Sequence, residues 1–411
     1  MKRIRNLVLL TAFALALAGC GARAYRPPAA RTVDLKAVDG AILKASYFGA
    51  GKPGPGVLLL HQINRQRKVW DGLAERLAAV GIHTLTFDVR GLGESSGGPY
   101  GQLPPAERAK ARKLWPDDME TAFQYLVAQP GVRRDVIGLG GAGPLGADNA
   151  VEAARRHSAD VKSMVLISGQ TEESGRQFIR QASQLPALFV AADADEYPPT
   201  EEVTEWLYAL SSNPGRKFIH YAGEKAPWKG YEDTKGVPAT GNHGTDLFRT
   251  HPELPGTIVN WYVTTLIATP GRAPADSSSS SALPVALLDE IETPGGPARA
   301  AAQLKQARLR DPQAQLWPWV VVNVLGYDHL QAGDMDAALE ILKLNVLANP
   351  ESADANDSLS DVYLAHGQKD LARHYAGKAL ALLASDTADS PERRNAIRDS
   401  AQSKLKQLGA H

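Results

Sequence analysis

The stretch Gly138-Leu139-Gly140-Gly141-Ala142-Gly143-Pro144-Leu145-Gly146-Ala147 has the residue types and spacing that speak most directly to chemistry. Gly141, Gly143 and Gly146 satisfy G-x-G-x-x-G between a strand-like and a helix-like segment, where backbone N–H groups and a helix N-terminus can receive a pyrophosphate. Two features oppose a dinucleotide. That fingerprint belongs to the first strand–helix unit of its fold, and several strand-like runs precede Gly138. The acidic ribose partner due about twenty residues later is absent, because the next apolar run ends Leu166-Ile167-Ser168-Gly169. No cofactor is expected. The stretch also lacks a nucleophile: no Ser, Thr or Cys lies between Gly138 and Ala147. No pair of histidines has metal-ligand spacing, so no metal site is expected. The balance of 45 basic against 45 acidic residues gives no electrostatic footprint for nucleic acid.

The elements around this turn alternate. Val57 to Leu60 and Ile82 to Phe87 are continuous apolar or β-branched runs ending in His61 and Asp88, as buried parallel strands do. Between them Trp70, Leu73, Leu77 and Val80 recur at helical spacing, and Gly81 is the stop. The unit repeats with a helix from Asp118 to Val127, a strand from Val136 to Leu139, a helix from Ala147 to Arg156 and a strand from Val161 to Ile167. Leu188 to Ala191 and Lys217 to Tyr221 add two strands separated by a helix around Val203 to Leu210. This rhythm predicts an α/β sheet covered by helices on both faces.

Val57-Leu58-Leu59-Leu60-His61, Trp70-Asp71-Gly72-Leu73-Ala74 and Phe87-Asp88-Val89-Arg90-Gly91-Leu92-Gly93-Glu94-Ser95 resemble the third and fourth strands of α/β-hydrolases, nearest to dienelactone-hydrolase-like and esterase-like members. The resemblance covers about residues 31 to 268, and only a short connection separates Ser168 from Leu185, too short for a large cap domain. Such enzymes carry serine in a G-x-S-x-G elbow after the fifth strand. Aligned from the left, Gly143 takes the serine's place; aligned from the right, Pro144 does. In the left-hand register, which we favour, Pro144 also removes the backbone N–H that would meet the oxyanion. The resemblance implies Asp195 as the triad acid, with Asp193 the weaker candidate, and His243 in Gly241-Asn242-His243-Gly244-Thr245-Asp246-Leu247 as the histidine. It places the other oxyanion N–H at Gln62 or Ile63. Trp115, Trp228 and Tyr197 are candidates to line the cleft, although aromatics more often serve core or rim. A base with no nucleophile beside it has nothing to activate, unless Ser95, Ser96 or Ser168 approaches it or water is the nucleophile.

Cys20 is the chain's single cysteine and closes Leu17-Ala18-Gly19-Cys20 behind Lys2, Arg3, Arg5 and an apolar run from Leu7 to Leu17. The run is too short to span a bilayer but suits a secretory signal. It resembles the lipobox of bacterial lipoproteins, which implies acylation of Cys20, a membrane anchor in the cell envelope and, with Gly21 following, the outer membrane. Ordinary signal cleavage near the same point is the competing expectation.

Residues 269 to 297 turn to Pro, Gly, Ala and Ser, the composition of a solvated linker. Beyond it Leu325, Gly333 and Ala338 recur as Leu359, Gly367 and Ala372, each 34 residues on. Leu316 to Leu383 resembles two tetratricopeptide repeats, implying an all-α domain over 298 to 411 with a groove for a protein or peptide. The expectation is thus an anchored α/β-hydrolase-fold lipoprotein without serine catalysis, serving as a binding or scaffold protein with a small-molecule cleft. The alternative is an active ester hydrolase using His243 and Asp195 with a displaced serine or activated water.

Overall fold

The computed structural model describes residues 29–193, 195, 197, 199–224, 241–276, 280–387 and 389–409. Cys20 with its leader, and Trp228, lie outside the described residues. Eight strands form one sheet: β1 (Arg31–Lys36), β2 (Ile42–Phe48), β3 (Gly54–Leu60), β4 (His83–Phe87), β5 (Val132–Ala142), β6 (Val161–Ile167), β7 (Ala187–Ala192) and β8 (Lys217–Tyr221). Their spatial order is β1-β2-β4-β3-β5-β6-β7-β8. The first two strands run antiparallel to their neighbours, and every pairing from β4 to β8 is parallel. Parallel strands need covered faces, and the covering helices are α1 (Asp71–Val80), α2 (Pro105–Val127), α3 (Gly143–Arg156), α4 (Glu173–Gln181), α5 (Pro199–Leu210), α6 (Leu247–Thr250) and α7 (Leu254–Tyr262). Alternation along β3 divides the core between the two faces. Leu58 and Leu60 join one buried cluster with Phe123 of α2 and Val151 of α3, whereas Val57 and Leu59 join the other with Leu73 of α1 and Ile258 of α7.

The α2 helix starts well before Asp118. Its first half, Ala-Glu-Arg-Ala-Lys-Ala-Arg-Lys, has no apolar period, and Pro116 stands inside it. The pattern that announces a helix begins only where α2 meets the core. The earlier turns carry Trp115 and Pro116 to the wall of the cavity described below.

The C-terminal region is helical: α8 (Val285–Ile291), α9 (Gly296–Arg308), α10 (Trp319–Ala332), α11 (Met335–Ala348), α12 (Ala353–Ala365), α13 (Lys369–Leu382) and α14 (Pro391–Gln407). The segment expected to be a solvated linker contains α8, whose Leu288 and Ile291 are buried in the same cluster as Trp206 of α5 and Val321 of α10. Its few apolar residues are spaced to dock one helical turn, which composition averaged over 269 to 297 conceals. The sheet and the first helices of the C-terminal region therefore share one apolar core.

Arg176 of α4 joins them electrostatically. It is 3% exposed, donates Nη1–H to Asp328 Oδ2 of α10 at 2.6 Å, and lies over the Trp206 ring with Cζ 4.7 Å from its centroid. Arg176→Met keeps the stem's bulk but leaves a recessed carboxylate without its cation, a loss of about 3 kcal/mol. Thermal unfolding should show the loss, and Asp328→Asn on the Arg176→Met background should recover part of it. Full additivity of the two would mean that the pair is not coupled.

Candidate functional site

The elbow is built where β5 enters α3. Ala142 is the last extended residue, Gly143 turns with φ +62°, and Pro144 follows in the helix's first turn, where a missing N–H costs no intrahelical bond. A Cβ placed on Gly143 would lie 3.0 Å from His243 Nε2 and 2.6 Å from Gln62 Cβ. Gly143 is therefore the position that faces the histidine, and Pro144 is the residue that follows it. A nucleophile's side chain at Gly143 would meet Gln62 before anything else.

Asp195, after β7, is wholly buried and lies with its oxygens 3.1 and 3.2 Å from His243 Nδ1. The Tyr197 N–H donates to Asp195 Oδ1 at 2.8 Å and the Thr200 hydroxyl to Oδ2 at 2.8 Å. A carboxylate fixed on both oxygens orients the imidazole and would stabilise its cation. Asp193 faces elsewhere: its Oδ1 is 2.7 Å from His220 Nε2, and its Oδ2 accepts from the Gly223 N–H.

The His243 turn is fastened to the loop after β3. Gln62 Nε2 donates to the His243 carbonyl at 3.1 Å, and its Oε1 accepts from the Thr245 hydroxyl at 3.0 Å. Arg65 binds Asp246 in a fork, Nε to Oδ1 at 3.0 Å and Nη2 to Oδ2 at 2.5 Å. On the same loop, His61 is buried with Nδ1–H donating to the Gln62 carbonyl and Nε2 accepting from the Val89 N–H. That arrangement requires the neutral ring, and burial pushes its pKa down. Gln62, expected as a backbone donor, thus acts through its side chain as a clamp. Nothing in its sequence position announces that role, because its partners lie 181 and 183 residues away.

The serines weighed as displaced nucleophiles are engaged in holding backbone. Ser95 Oγ donates to the Asp88 carbonyl and accepts from the Lys44 N–H, and Ser96 Oγ accepts from the Ile42 N–H of the same strand, β2. Ser168 comes nearer. Its backbone takes φ +49°, and its hydroxyl accepts from the Gly244 N–H at 3.0 Å, so it braces the turn that carries His243.

A cavity of about 470 Å³ opens over the elbow, with Pro144, Leu145, Ile63, Trp115, Tyr197 and His243 on its lining. Tyr197 meets the His243 ring edge-on at 4.6 Å. Polar groups from α3 and the segment leading into α4, among them Asp148, Glu152, Gln170 and Glu172, complete the wall.

A mixed sheet ordered β1-β2-β4-β3-β5-β6-β7-β8, with an elbow after β5, an acid after β7 and a histidine after β8, defines the α/β-hydrolase fold. No protein-family model matches the chain. It is similar to the thiohydrolase aneE of Aspergillus aculeatus, 28% identical over 210 residues that cover 48% of this chain and 62% of that protein. The chain thus spans under two thirds of that curated relative. Among solved structures it is similar to the dienelactone hydrolase of Anabaena variabilis, 15% identical over 59% of this chain and 100% of that one, with a TM-score of 0.42. A Pyrococcus furiosus esterase is 14% identical over 57% of this chain and 92% of its own, also with a TM-score of 0.42. The fold assignment rests on the chain's own strand order and connections.

Proposed function

We propose that this chain is an envelope lipoprotein, anchored through Cys20 in the outer membrane, whose α/β-hydrolase-fold domain (31–268) has lost serine catalysis and serves as a binding module. The single observation that carries the reading is the occupied elbow: Gln62 and His243 close around Gly143 where a nucleophile's side chain would stand. Pro144 supports it, since the N–H that would stabilise an oxyanion is missing, and losing one such donor typically costs a hundredfold or more in rate. The region 298–411, with its 34-residue period, is a tetratricopeptide-like stack offering a surface to a protein or peptide, joined to the sheet by the segment 269–297. No helix among the described residues is long and apolar enough to cross a membrane.

A fluorophosphonate probe and a panel of p-nitrophenyl esters and acyl thioesters test the catalytic half of this reading. Neither labelling nor turnover above the His243→Ala variant is expected. Covalent labelling of any residue near the elbow, lost on His243→Ala, overturns it. Cys20→Ser should move the protein from the membrane to the soluble fraction and abolish metabolic labelling by a fatty acid.

The intact His243–Asp195 pair favours one second reading. In it, His243 Nε2 accepts a proton from water as that water attacks an ester or thioester carbonyl, and Asp195 stabilises the imidazolium. The name of the thiohydrolase relative makes a thioester the first substrate to try. Turnover without covalent labelling, abolished by His243→Ala, would distinguish this reading from the first.

A further inference from the structure

Resting on the reading of the elbow cavity as a binding site, we infer that it takes an organic ammonium ligand, with Asp148 Oδ2 as the counter-ion. Asp148 stands on α3 little more than one turn past the elbow and lines the cavity. Both of its protein hydrogen bonds fall on one oxygen: Oδ1 accepts from the Thr171 hydroxyl at 2.8 Å and the Glu172 N–H at 3.1 Å. Oδ2 receives no protein donor, and among the described residues no arginine or lysine pairs with the carboxylate. A recessed carboxylate without a cation is a costly arrangement unless something else supplies the charge.

The remaining charges of the lining do not supply it. Arg155 is committed to Glu152 by two bonds of 2.7 and 2.8 Å. Arg112 donates Nε–H to the Tyr100 hydroxyl, and its guanidinium lies 5.7 Å from that ring's centroid. Glu172 adds a second negative charge beside Asp148. Two further acceptors on the lining, Asn64 Oδ1 and Gln170 Oε1, are buried without a donor. Against Arg112, the one cation of the lining whose bond is to a neutral phenol, a carboxylate ligand would meet the like charges of Asp148 and Glu172 and two acceptors facing acceptors. An ammonium group supplies both the missing cation and up to three N–H donors, while Trp115 and Tyr197 offer aromatic surface to an apolar body or to the cation itself.

Titration follows from the same placement. Burial pushes the Asp148 carboxyl up to about 6, with Glu172 and Glu152 adding repulsion against the two hydrogen bonds that favour the anion. The groups sharing the cavity are Arg112 from α2, Glu152 and Arg155 from α3, Glu172 before α4, and His243. A cationic ligand should therefore bind well above that value and weaken below it. The sign for the empty protein is the opposite: a carboxyl whose pKa is raised on folding subtracts stability as pH rises through the interval up to about 6. Asp148→Asn should thus raise the midpoint of thermal unfolding at neutral pH and leave it unchanged near the ordinary carboxylate pKa.

Calorimetric titration of the full chain with benzylamine, benzyl alcohol and benzoate tests the inference. At about pH 8 benzylamine should bind roughly tenfold or more tightly than either of the others, and the preference should shrink about tenfold near pH 5. Asp148→Asn should erase the preference while stabilising the fold, which a merely structural residue would not do. Benzoate binding as tightly as benzylamine, no binding of any of the three, or a preference surviving Asp148→Asn would overturn the inference. Failure of the underlying site reading looks different, as ester turnover that depends on His243, whatever the three probes do.

Discussion

Gly143→Ser is expected to give a less stable protein with no gain of ester turnover. The backbone there already has the positive φ of a nucleophile elbow, so a serine would occupy a region that costs a non-glycine residue about 1 kcal/mol or more. Its Cβ would also press on Gln62 Cβ at 2.6 Å, a distance that forces one of the two to move. Gln62 is not free to move, because its amide holds the His243 carbonyl and the Thr245 hydroxyl. A total loss of about 1–3 kcal/mol follows from overpacking and strain together. Any hydroxyl that did reach His243 would still attack without the N–H that Pro144 lacks. The double variant Gly143→Ser/Gln62→Gly should recover part of the stability, and adding Pro144→Ala restores a donor. Chemical denaturation and burst-phase ester kinetics on the series read both quantities. Brisk turnover by Gly143→Ser alone would show that the elbow is open after all.

Asp88→Ala should destabilise the fold by about 3–5 kcal/mol, the cost of stranding a buried charge. Asp88 is fully buried at the end of β4 and accepts from the Arg67 N–H at 2.7 Å, from the Arg67 guanidinium and from the Glu94 N–H at 3.0 Å. Arg67, 1% exposed, would be left with Glu94 and Ser46. Glu94 is a surface carboxylate, held down at about 2 by Lys68 first and Arg67 second, and screened by solvent it replaces little of the loss. The midpoint of thermal unfolding should fall on the order of 10 °C. A change under 1 kcal/mol would mean that the Arg67 charge finds water or another partner at no cost.

In Asp88-Val89-Arg90-Gly91-Leu92-Gly93-Glu94-Ser95, Asp88 anchors Arg67, Arg90 donates to both oxygens of buried Asp118 and to Asp39, and the Ser95 hydroxyl bonds the Asp88 carbonyl. Gly93 turns with φ +53° and would drive a Cβ into the Asp88 carboxylate. The motif ties the turn after β3, the end of β4 and the middle of α2 into one network. Its polar side chains are thus committed to holding backbone and buried charges in place.

The alternation of strands and helices was readable from apolar runs because the central parallel strands β3, β4, β6 and β7 are buried on both faces and need no partner to reveal themselves. The antiparallel hairpin of β1 and β2 was less visible, since β1 has a solvated face and breaks its apolar pattern with Thr32, Asp34 and Lys36. The early turns of α2 gave no signal for the same reason. In the linker, composition was averaged over a span in which two buried side chains, Leu288 and Ile291, decided the structure.

The sequence alone determined that no hydroxyl or thiol stands at the elbow and that the residue after it has no N–H, because these are absences of atoms that no folding can supply. Only the tertiary structure decided what fills the space. Gln62 and His243 are separated by 181 positions, and Asp148 meets Glu172 across the β6 crossover. Such encounters depend on the order of strands in the sheet and on the angles of loops at its carboxyl edge. Local pattern carries no information about either, so the clamp on His243 and the unpaired oxygen of Asp148 emerged only when the chain was closed around them.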